Sequence, residues 1–190
     1  MHTLKVRLTG ARPLLLHSDR FANPLDPLTK AHKALTGKRK KTDDDHEAIA
    51  KSEWRGALYF SDELGPYIPG VNIESALIEG GKLSKLGRQL KRSVEIMNDR
   101  CRLEYDGPRT VEGLWQRGFY DARSVKVSSA RLIRYRPLFE SWACECEIAF
   151  DPESVDHAAV LRSLTDAGQY CGIGDYRPRF GRFDVAQVGA

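Results

Sequence analysis

The chain has 190 residues, of which 41% are hydrophobic and 29% are charged, a balance typical of a soluble globular protein. No stretch approaches the ~20 consecutive apolar residues that a membrane-spanning helix requires. The first ten residues lack the apolar core of a signal peptide, so we expect a cytoplasmic protein with no membrane partner. The four cysteines show no paired metal-ligand spacing, and we expect neither a metal nor a cofactor.

The net charge of +4 is concentrated in short basic segments. The stretch "KALTGKRKK", residues 33–41, contains five basic residues and no acidic one. Further groups lie at 82–92 and 177–182. Segregated positive charge of this kind favours a polyanionic partner, although a simply solvated surface has the same pattern. The candidate phosphate-binding residues in the first two groups are Lys38, Arg39, Lys40, Lys41, Lys82, Lys85 and Arg88.

The first third of the chain predicts a strand, a loop and a helix. Leu4, Val6 and Leu8 alternate with polar residues, which predicts a half-buried strand at 3–10. The next segment shows no sustained period, so we expect a long basic loop at 10–41. A helix is predicted at 42–60, because Thr42 and Asp45 can form a capping box and Trp54 falls on its apolar face.

The remaining two thirds predict a second helix, an insertion and the rest of a sheet. A helix is expected from Asn72 to the glycine pair at 80–81, followed by an insertion with little regular structure at 82–123. Strands are predicted at 124–137, at 141–150, where Cys144 and Cys146 share a core face, and at 182–188. A last helix is expected to begin at Asp151 and end at 168.

Without the insertions, the predicted order is strand, helix, strand, strand, helix, strand. This is the ferredoxin-like, or RRM-like, βαββαβ arrangement of α+β proteins, and we expect one such domain over 1–190. Helices would cover one face of its sheet and leave the other face free to meet a ligand or partner.

The segment "CGIGDYRPRFGRF", residues 171–183, combines glycines, arginines and aromatic residues. Glycines permit positive φ and close backbone approach, arginines can reach phosphates, and aromatic rings can stack on bases. The candidate binding residues are Gly172, Gly174, Tyr176, Arg177, Arg179, Phe180 and Arg182. The alternative is a structural turn whose arginines pair with Asp175 and Asp184 and whose Phe180 and Phe183 are core residues. Neither a Walker loop nor a dinucleotide fingerprint is present.

Two motifs resemble those of a known superfamily. "YIPGVNIESAL", residues 67–77, resembles the segment that opens a helix in RAMP proteins, and residues 171–183 resemble their C-terminal glycine-rich loop. Together with the first strand, they resemble the Cas7-like branch, the backbone subunits of CRISPR effector complexes, and small phage-type members. The resemblance implies single-stranded RNA held in a basic groove. It also implies a partnership with further copies of the chain, or with other Cas7-like subunits, that stack side by side along the strand.

The sequence therefore predicts a non-catalytic protein that binds single-stranded nucleic acid, RNA rather than DNA. Two alternatives stay open. The first is a structural or assembly protein, including a decoy that occupies a CRISPR complex. The second is a metal-dependent ribonuclease, since some members of the superfamily cleave RNA with an aspartate after the first strand. The corresponding candidates are Asp19 and Asp26. A histidine-based ribonuclease would instead use His17 with Arg20.

Overall fold

A computed structural model describes residues 1–127 and 130–189. Ser128 and Ser129, which fall within the predicted strand 124–137, and Ala190 lie outside the described residues. The strands are β1 (His2–Gly10), β2 (Leu14–Leu15), β3 (Phe60–Ser61), β4 (Gly65–Pro69), β5 (Val94–Ile96), β6 (Arg100–Arg102), β7 (Tyr120–Val127), β8 (Ala130–Phe139), β9 (Ala143–Phe150) and β10 (Phe183–Gln187). The helices are α1 (Pro27–Thr36), α2 (Asp43–Ala57), α3 (Gly70–Leu83), α4 (Gly87–Ser93), α5 (Val111–Gln116) and α6 (His157–Asp166).

The chain divides into two compact units, where the sequence predicts one domain with insertions. Unit 1 comprises Met1–Leu14, Ser61–Asp106 and Phe139–Ala190, and unit 2 comprises Leu15–Phe60 and Gly107–Leu138. Within the part of the chain that the structure describes, no helix is long and apolar enough to cross a membrane.

Unit 1 has a four-stranded antiparallel sheet in the order β10–β1–β9–β5. With α3 before β5 and α6 before β10, this is the strand order of a ferredoxin-like βαββαβ core: fourth, first, third, second. The α+β, ferredoxin-like class predicted from the sequence is therefore confirmed. The core face carries matched residues of β1 and β9, all buried: Leu4 opposite Ile148, Val6 opposite Cys146 and Leu8 opposite Cys144.

One of the six core elements differs from the sequence prediction, since the second core strand is β5 rather than 124–137. Of the two helices predicted before that strand, the later one, α3, is the first core helix. β5 has only three residues, too few to show alternation, whereas the longer and clearer patterns at 42–60 and 124–137 belong to unit 2. The predicted strand 124–137 is in fact parts of β7 and β8, which pair antiparallel.

The segments expected to be irregular also contain regular structure. The predicted loop 10–41 includes β2, a 3₁₀ turn at Arg20–Ala22 and α1, which begins with Asp26 as N-cap and Pro27 at its first position. The predicted insertion 82–123 includes α4, β5, β6, α5 and the start of β7. These elements are short, so their periodicity does not rise above the polar and basic residues around them.

The last helix begins later than predicted. Asp151 accepts a hydrogen bond from the Ser154 hydroxyl (2.6 Å) in a turn, and α6 starts at His157 with Asp156 as its N-cap. A π-helical turn, Ala167–Cys171, follows α6. Gly168 lies inside this turn rather than ending the helix. Glycine is needed there because a Cβ would lie 2.1 Å from the carbonyl oxygen of Phe183.

Unit 2 is built around α2 and the β7–β8 hairpin. The predicted capping box is confirmed, since the Thr42 hydroxyl accepts from the Asp45 amide and the Asp45 carboxylate accepts from the Thr42 amide. Trp54 is fully buried, as predicted, and its indole N–H donates to the carbonyl of Phe119 (2.8 Å). Glu53 holds β8 by accepting a hydrogen bond from the amide of Tyr135 (3.1 Å).

The glycine pair at 80–81 does not break α3 but lies within it, where other backbone comes close. A Cβ on Gly80 would lie 2.1 Å from the carbonyl oxygen of Ser163 in α6. A Cβ on Gly81 would lie 2.1 Å from the Cδ1 atom of Leu90 in α4. Both contacts are shorter than any real Cβ contact, so only glycine lets α3 pack this closely against its two neighbours.

We predict that Gly80→Ala lowers the free energy of unfolding by about 2–3 kcal/mol, because the clash is with backbone that cannot rotate away. Helix propensity alone would favour alanine by about 1 kcal/mol, so the sign of the change shows which effect dominates. The matched control is Gly37→Ala, at a helix C-cap with φ −75°, where alanine fits the backbone conformation. Chemical denaturation measures both; a neutral or stabilising Gly80→Ala would contradict the close contact.

Candidate nucleic-acid interface

A basic groove of about 550 Å³ lies in unit 1 between the end of α3 and the start of α4. It brings together three of the residues predicted from the sequence to bind phosphate, and adds Lys91. The residues that line it are Ser75, Ile78, Glu79, Lys82, Lys85, Gly87, Arg88 and Lys91. Four cations and one carboxylate thus surround a space large enough for part of a polynucleotide backbone.

The groove exists because α4 turns back against α3. Leu90 is fully buried and occupies the space that a side chain at position 81 would take. The connecting turn is closed by the amide of Leu86, which donates to the carbonyl of Gly81 (2.8 Å), and Lys85 has a left-handed φ of +63°. This turn brings Lys85 next to Lys82 at the end of α3 and Arg88 at the start of α4.

The groove keeps most of its positive charge available. Glu79 pairs with Lys82. Among the described residues, no carboxylate forms an ion pair with Lys85, Arg88 or Lys91. Burial raises the pKa of the nearby Cys171 thiol and Glu79 adds to the rise, while Lys82 and Arg177 oppose it.

The glycine-rich segment is a closed turn rather than an open cradle of free amides. Gly172, Gly174 and Gly181 have positive φ, as predicted, and a Cβ on Gly181 would lie 1.7 Å from the carbonyl oxygen of Ile173. The amide of Ile173 donates to the carbonyl of Gly181 (2.8 Å), and the amide of Gly181 donates to the carbonyl of Pro13 (2.8 Å). These amides are used within the protein, so phosphates would have to meet the side chains instead.

The side chains of this segment divide between the surface and the core. Arg177, Arg179 and Arg182 are exposed, and Tyr176 is 52% exposed. Phe180 is only 8% exposed, although it lines a basic cleft beside this segment, and Phe183 is 1% exposed. This burial favours the structural turn, in which both phenylalanines are core residues, over a stacking role for Phe180.

A second basic cleft, of about 630 Å³, lies beside the glycine-rich segment in unit 1. It contains Arg179 and Arg182 together with Arg12, and no acidic side chain lines it. Arg12 was not predicted from the sequence, although it follows the first strand closely. In the structure the amides of residues 11 and 12 both donate to the carbonyl of Arg182, which brings Arg12 to the glycine-rich segment.

The basic residues 38–41 belong to unit 2 and form a short connection between α1 and α2. Lys38 pairs with Asp45 (2.5 Å), and the hydrogen bond from Lys38 lowers the pKa of that carboxyl. The ammonium of Lys41 donates to the carbonyl of Lys38 (2.7 Å), while Arg39 and Lys40 are exposed. The segment is therefore much shorter than the loop of about thirty residues that the sequence suggested.

The sheet face opposite α3 and α6 is not a basic surface. Arg7 lies between Glu104 (2.5 Å) and Glu145 (3.3 Å), and the hydrogen bond with Glu104 raises the pKa of the guanidinium. Lys5 pairs with Glu145 (3.5 Å), and Glu147 is exposed on the same face. Since both cations of β1 are neutralised by carboxylates, this face is a poor site for phosphates.

The three candidate catalytic residues do not form one site. Asp26 accepts from the amides of Leu28 (2.8 Å) and Thr29 (3.3 Å), so it is the N-cap of α1. His17 and Asp19 line a separate cleft of about 640 Å³ in unit 2. There the Nδ1 atom of His17 accepts from the guanidinium of Arg136 (3.3 Å), which places the ring proton on Nε2.

Among the described residues, no three His, Cys, Asp or Glu side chains come close enough together to hold a metal ion. Cys101, Cys144 and Cys146 are buried, as expected for core thiols, and the hydrogen bond with Cys101 together with burial raises the pKa of Cys146.

The chain was compared with protein-family models, curated proteins and solved structures. No protein-family model matches the chain, and no curated protein matches its sequence. A solved Cas6 product complex aligns with 97% of this chain at 14% identity and a TM-score of 0.27. The chain spans 50% of the length of that protein. The ferredoxin-like assignment therefore rests on the strand order of unit 1, and the site is argued from its own residues.

We predict that Asp26→Ala lowers the free energy of unfolding by about 1 kcal/mol, because α1 loses the side chain that caps its first amides. Asp19→Ala, at a position that makes no side-chain cap to the following turn, serves as the matched control and should change stability by less than about 0.5 kcal/mol. Thermal and chemical denaturation test both variants. Equal stability of the two would contradict the capping role of Asp26.

Proposed function

We propose that the protein binds single-stranded nucleic acid without cleaving it, and that the basic groove of unit 1 is the main contact with the phosphate backbone. The observation that carries this proposal is the group of three cations, Lys85, Arg88 and Lys91, that have no carboxylate partner among the described residues. Phosphate contacts of this kind supply most of the affinity of sequence-independent binding.

The geometry favours a backbone over an isolated anion. The groove lies between α3 and α4, and a single small anion would not use four cations spread over α3, the turn and α4. The glycine-rich segment of the same unit adds three exposed arginines, and Tyr176, at 52% exposure, adds an aromatic ring that can stack on a base.

The preference for RNA and the side-by-side assembly of several copies rest on the motifs at 67–77 and 171–183, which resemble those of Cas7-like RAMP proteins. We extend the proposal to both. The motif at 67–77 opens α3, whose Ser75 lines the groove, and the second motif forms the turn that carries Tyr176 and Arg177.

A non-catalytic role is supported by the positions of the candidate acids. Asp26 is engaged as a helix cap, and the Nδ1 atom of His17 is engaged by Arg136. Both lie in unit 2, whereas the basic groove belongs to unit 1. We therefore expect intact RNA after prolonged incubation with the protein, with or without divalent metal, as read on a denaturing gel.

We predict that the double variant Lys85→Ala/Arg88→Ala weakens binding of a labelled single-stranded RNA by at least about tenfold at low salt. The slope of log affinity against log salt should become shallower by about 1.4, because each lost phosphate contact on a single strand removes about 0.7. Fluorescence anisotropy over a series of salt concentrations measures both quantities, and single-stranded DNA and duplex RNA are run beside it.

The matched control is Arg102→Ala/Arg162→Ala, which removes the same two charges from exposed positions of unit 1 outside the groove. It should leave the slope nearly unchanged. Equal weakening by the two double variants would mean that binding follows net charge rather than the groove. If the unmodified protein bound no RNA at any salt concentration of the series, the proposal would be overturned and a protein partner would be sought instead.

A further inference from the structure

Unit 2 contains a cleft of about 930 Å³ that the sequence analysis did not anticipate. It is formed by α1, α2, α5 and the β7–β8 hairpin. Three aromatic residues line it: Trp115 in α5, Tyr120 at the start of β7 and Tyr135 in β8. This cleft was not predicted from the sequence, because α5 and the start of β7 fall in the segment expected to be irregular.

The three rings form one connected cluster. The ring centroids of Trp115 and Tyr120 are 4.8 Å apart with an interplanar angle of 30°, and those of Tyr120 and Tyr135 are 5.8 Å apart. Trp54, which is fully buried, contacts Trp115 at 5.4 Å and supports it from the protein interior. Tyr120 remains 36% exposed, and Trp115 and Tyr135 are half-buried, so the cluster is fixed in place yet reaches solvent.

Basic side chains line the same cleft as these rings. Arg131 and Lys41 line the cleft and are exposed, while Arg134 is paired with Glu53. Burial lowers the pKa of His32, another lining residue, so its ring is mainly neutral near pH 7 and adds little charge. Glu47 is a further acidic residue of the lining. The cleft therefore combines aromatic surface with two exposed cations.

We propose that this cleft binds an unpaired nucleobase, with the rings of Trp115 and Tyr120 providing the stacking surface and Arg131 meeting the attached phosphate. The inference deepens the proposed function and rests on it, because the base would belong to the same single strand. Stacking on aromatic rings accepts any base, which suits binding without sequence preference.

The composition of the cleft favours a nucleotide over an apolar peptide. Leu132 and Ile133 are 45% and 55% exposed and extend the apolar wall. A nucleotide uses both parts of the site, since its base is a flat apolar ring and its phosphate is an anion. An apolar peptide would use the rings and these two side chains but would supply no anion for Arg131 and Lys41.

The test uses tryptophan fluorescence of the full chain. Of the three tryptophans, Trp54 and Trp142 are 0% and 4% exposed, so quenching by a stacked base should report Trp115. We expect both adenosine monophosphate and a saturating single-stranded RNA to quench the emission. The Trp115→Phe variant keeps an aromatic ring and the other two tryptophans, and its emission should not respond.

Two further pairs of variants separate stacking from charge. Tyr120→Ala should weaken adenosine monophosphate about tenfold, whereas Tyr120→Phe should bind like the unmodified protein. Arg131→Gln should weaken adenosine monophosphate several-fold and leave adenosine unaffected, because adenosine lacks the phosphate. Circular dichroism and denaturation confirm that each variant is folded before its binding is compared.

The outcomes distinguish this inference from the proposed function. If RNA binds by anisotropy but leaves Trp115 emission unchanged, the base site is wrong and the groove proposal stands. If adenosine monophosphate quenches Trp115 while RNA does not bind, the cleft is a nucleotide site and the groove proposal fails. Quenching that survives Tyr120→Ala undiminished would overturn the assignment of the stacking surface.

Discussion

The architecture of unit 1 depends on the missing side chains at Gly80 and Gly81. Because neither residue has a Cβ, α3 lies directly against the backbone of α6 on one side and receives Leu90 of α4 on the other. Close packing of this kind leaves no room for even one extra methyl group. The same contacts that close the hydrophobic core thereby fix the turn at 84–86 and the cations that follow it. A basic surface is held at a defined position by an apolar contact beneath it.

The two units supply complementary chemistry. Unit 1 offers exposed cations on a helical groove and on a tightly hydrogen-bonded turn, with Tyr170 and Tyr176 as well-exposed rings at or next to that turn. The cleft of unit 2 offers connected aromatic rings with two exposed cations. Single-stranded nucleic acids present the same two chemical faces, charged backbone and flat base. The proposed functions of the groove and of the cleft follow this division.

The sequence predicted the fold class well and the assignment of elements less well. The alternation in β1 and β9 spans eight or nine residues and was read correctly, as was the capping box of α2. β5, with three residues, takes its place in the sheet from tertiary pairing with β9, which no local pattern records. The pattern at 124–137 was assigned to the core sheet because periodicity shows that an element is amphipathic, not which unit it packs in.

The candidate sites followed the same rule. Lys82, Lys85 and Arg88 are close in sequence and could be grouped by their charge, although the turn and helix that bring them together fall in a segment expected to be irregular. Arg12 and Arg182 are distant in sequence and meet through the pairing of β1 with β10. The sequence left the place of Phe180 open because the direction of a side chain in a glycine-rich turn depends on backbone angles that composition does not reveal.

The carboxylates on the uncovered face of the unit 1 sheet have a consequence for how a polyanion arrives. Arg7 and Lys5 are held by Glu104 and Glu145, and Glu147 and Asp184 add exposed negative charge on the same face. The groove cations lie on the helical side, so unit 1 divides its charges between two faces. If unit 1 binds a polynucleotide as proposed, this division would repel the strand from one side and attract it from the other before any contact forms. The resulting gain in association rate would be largest at low ionic strength.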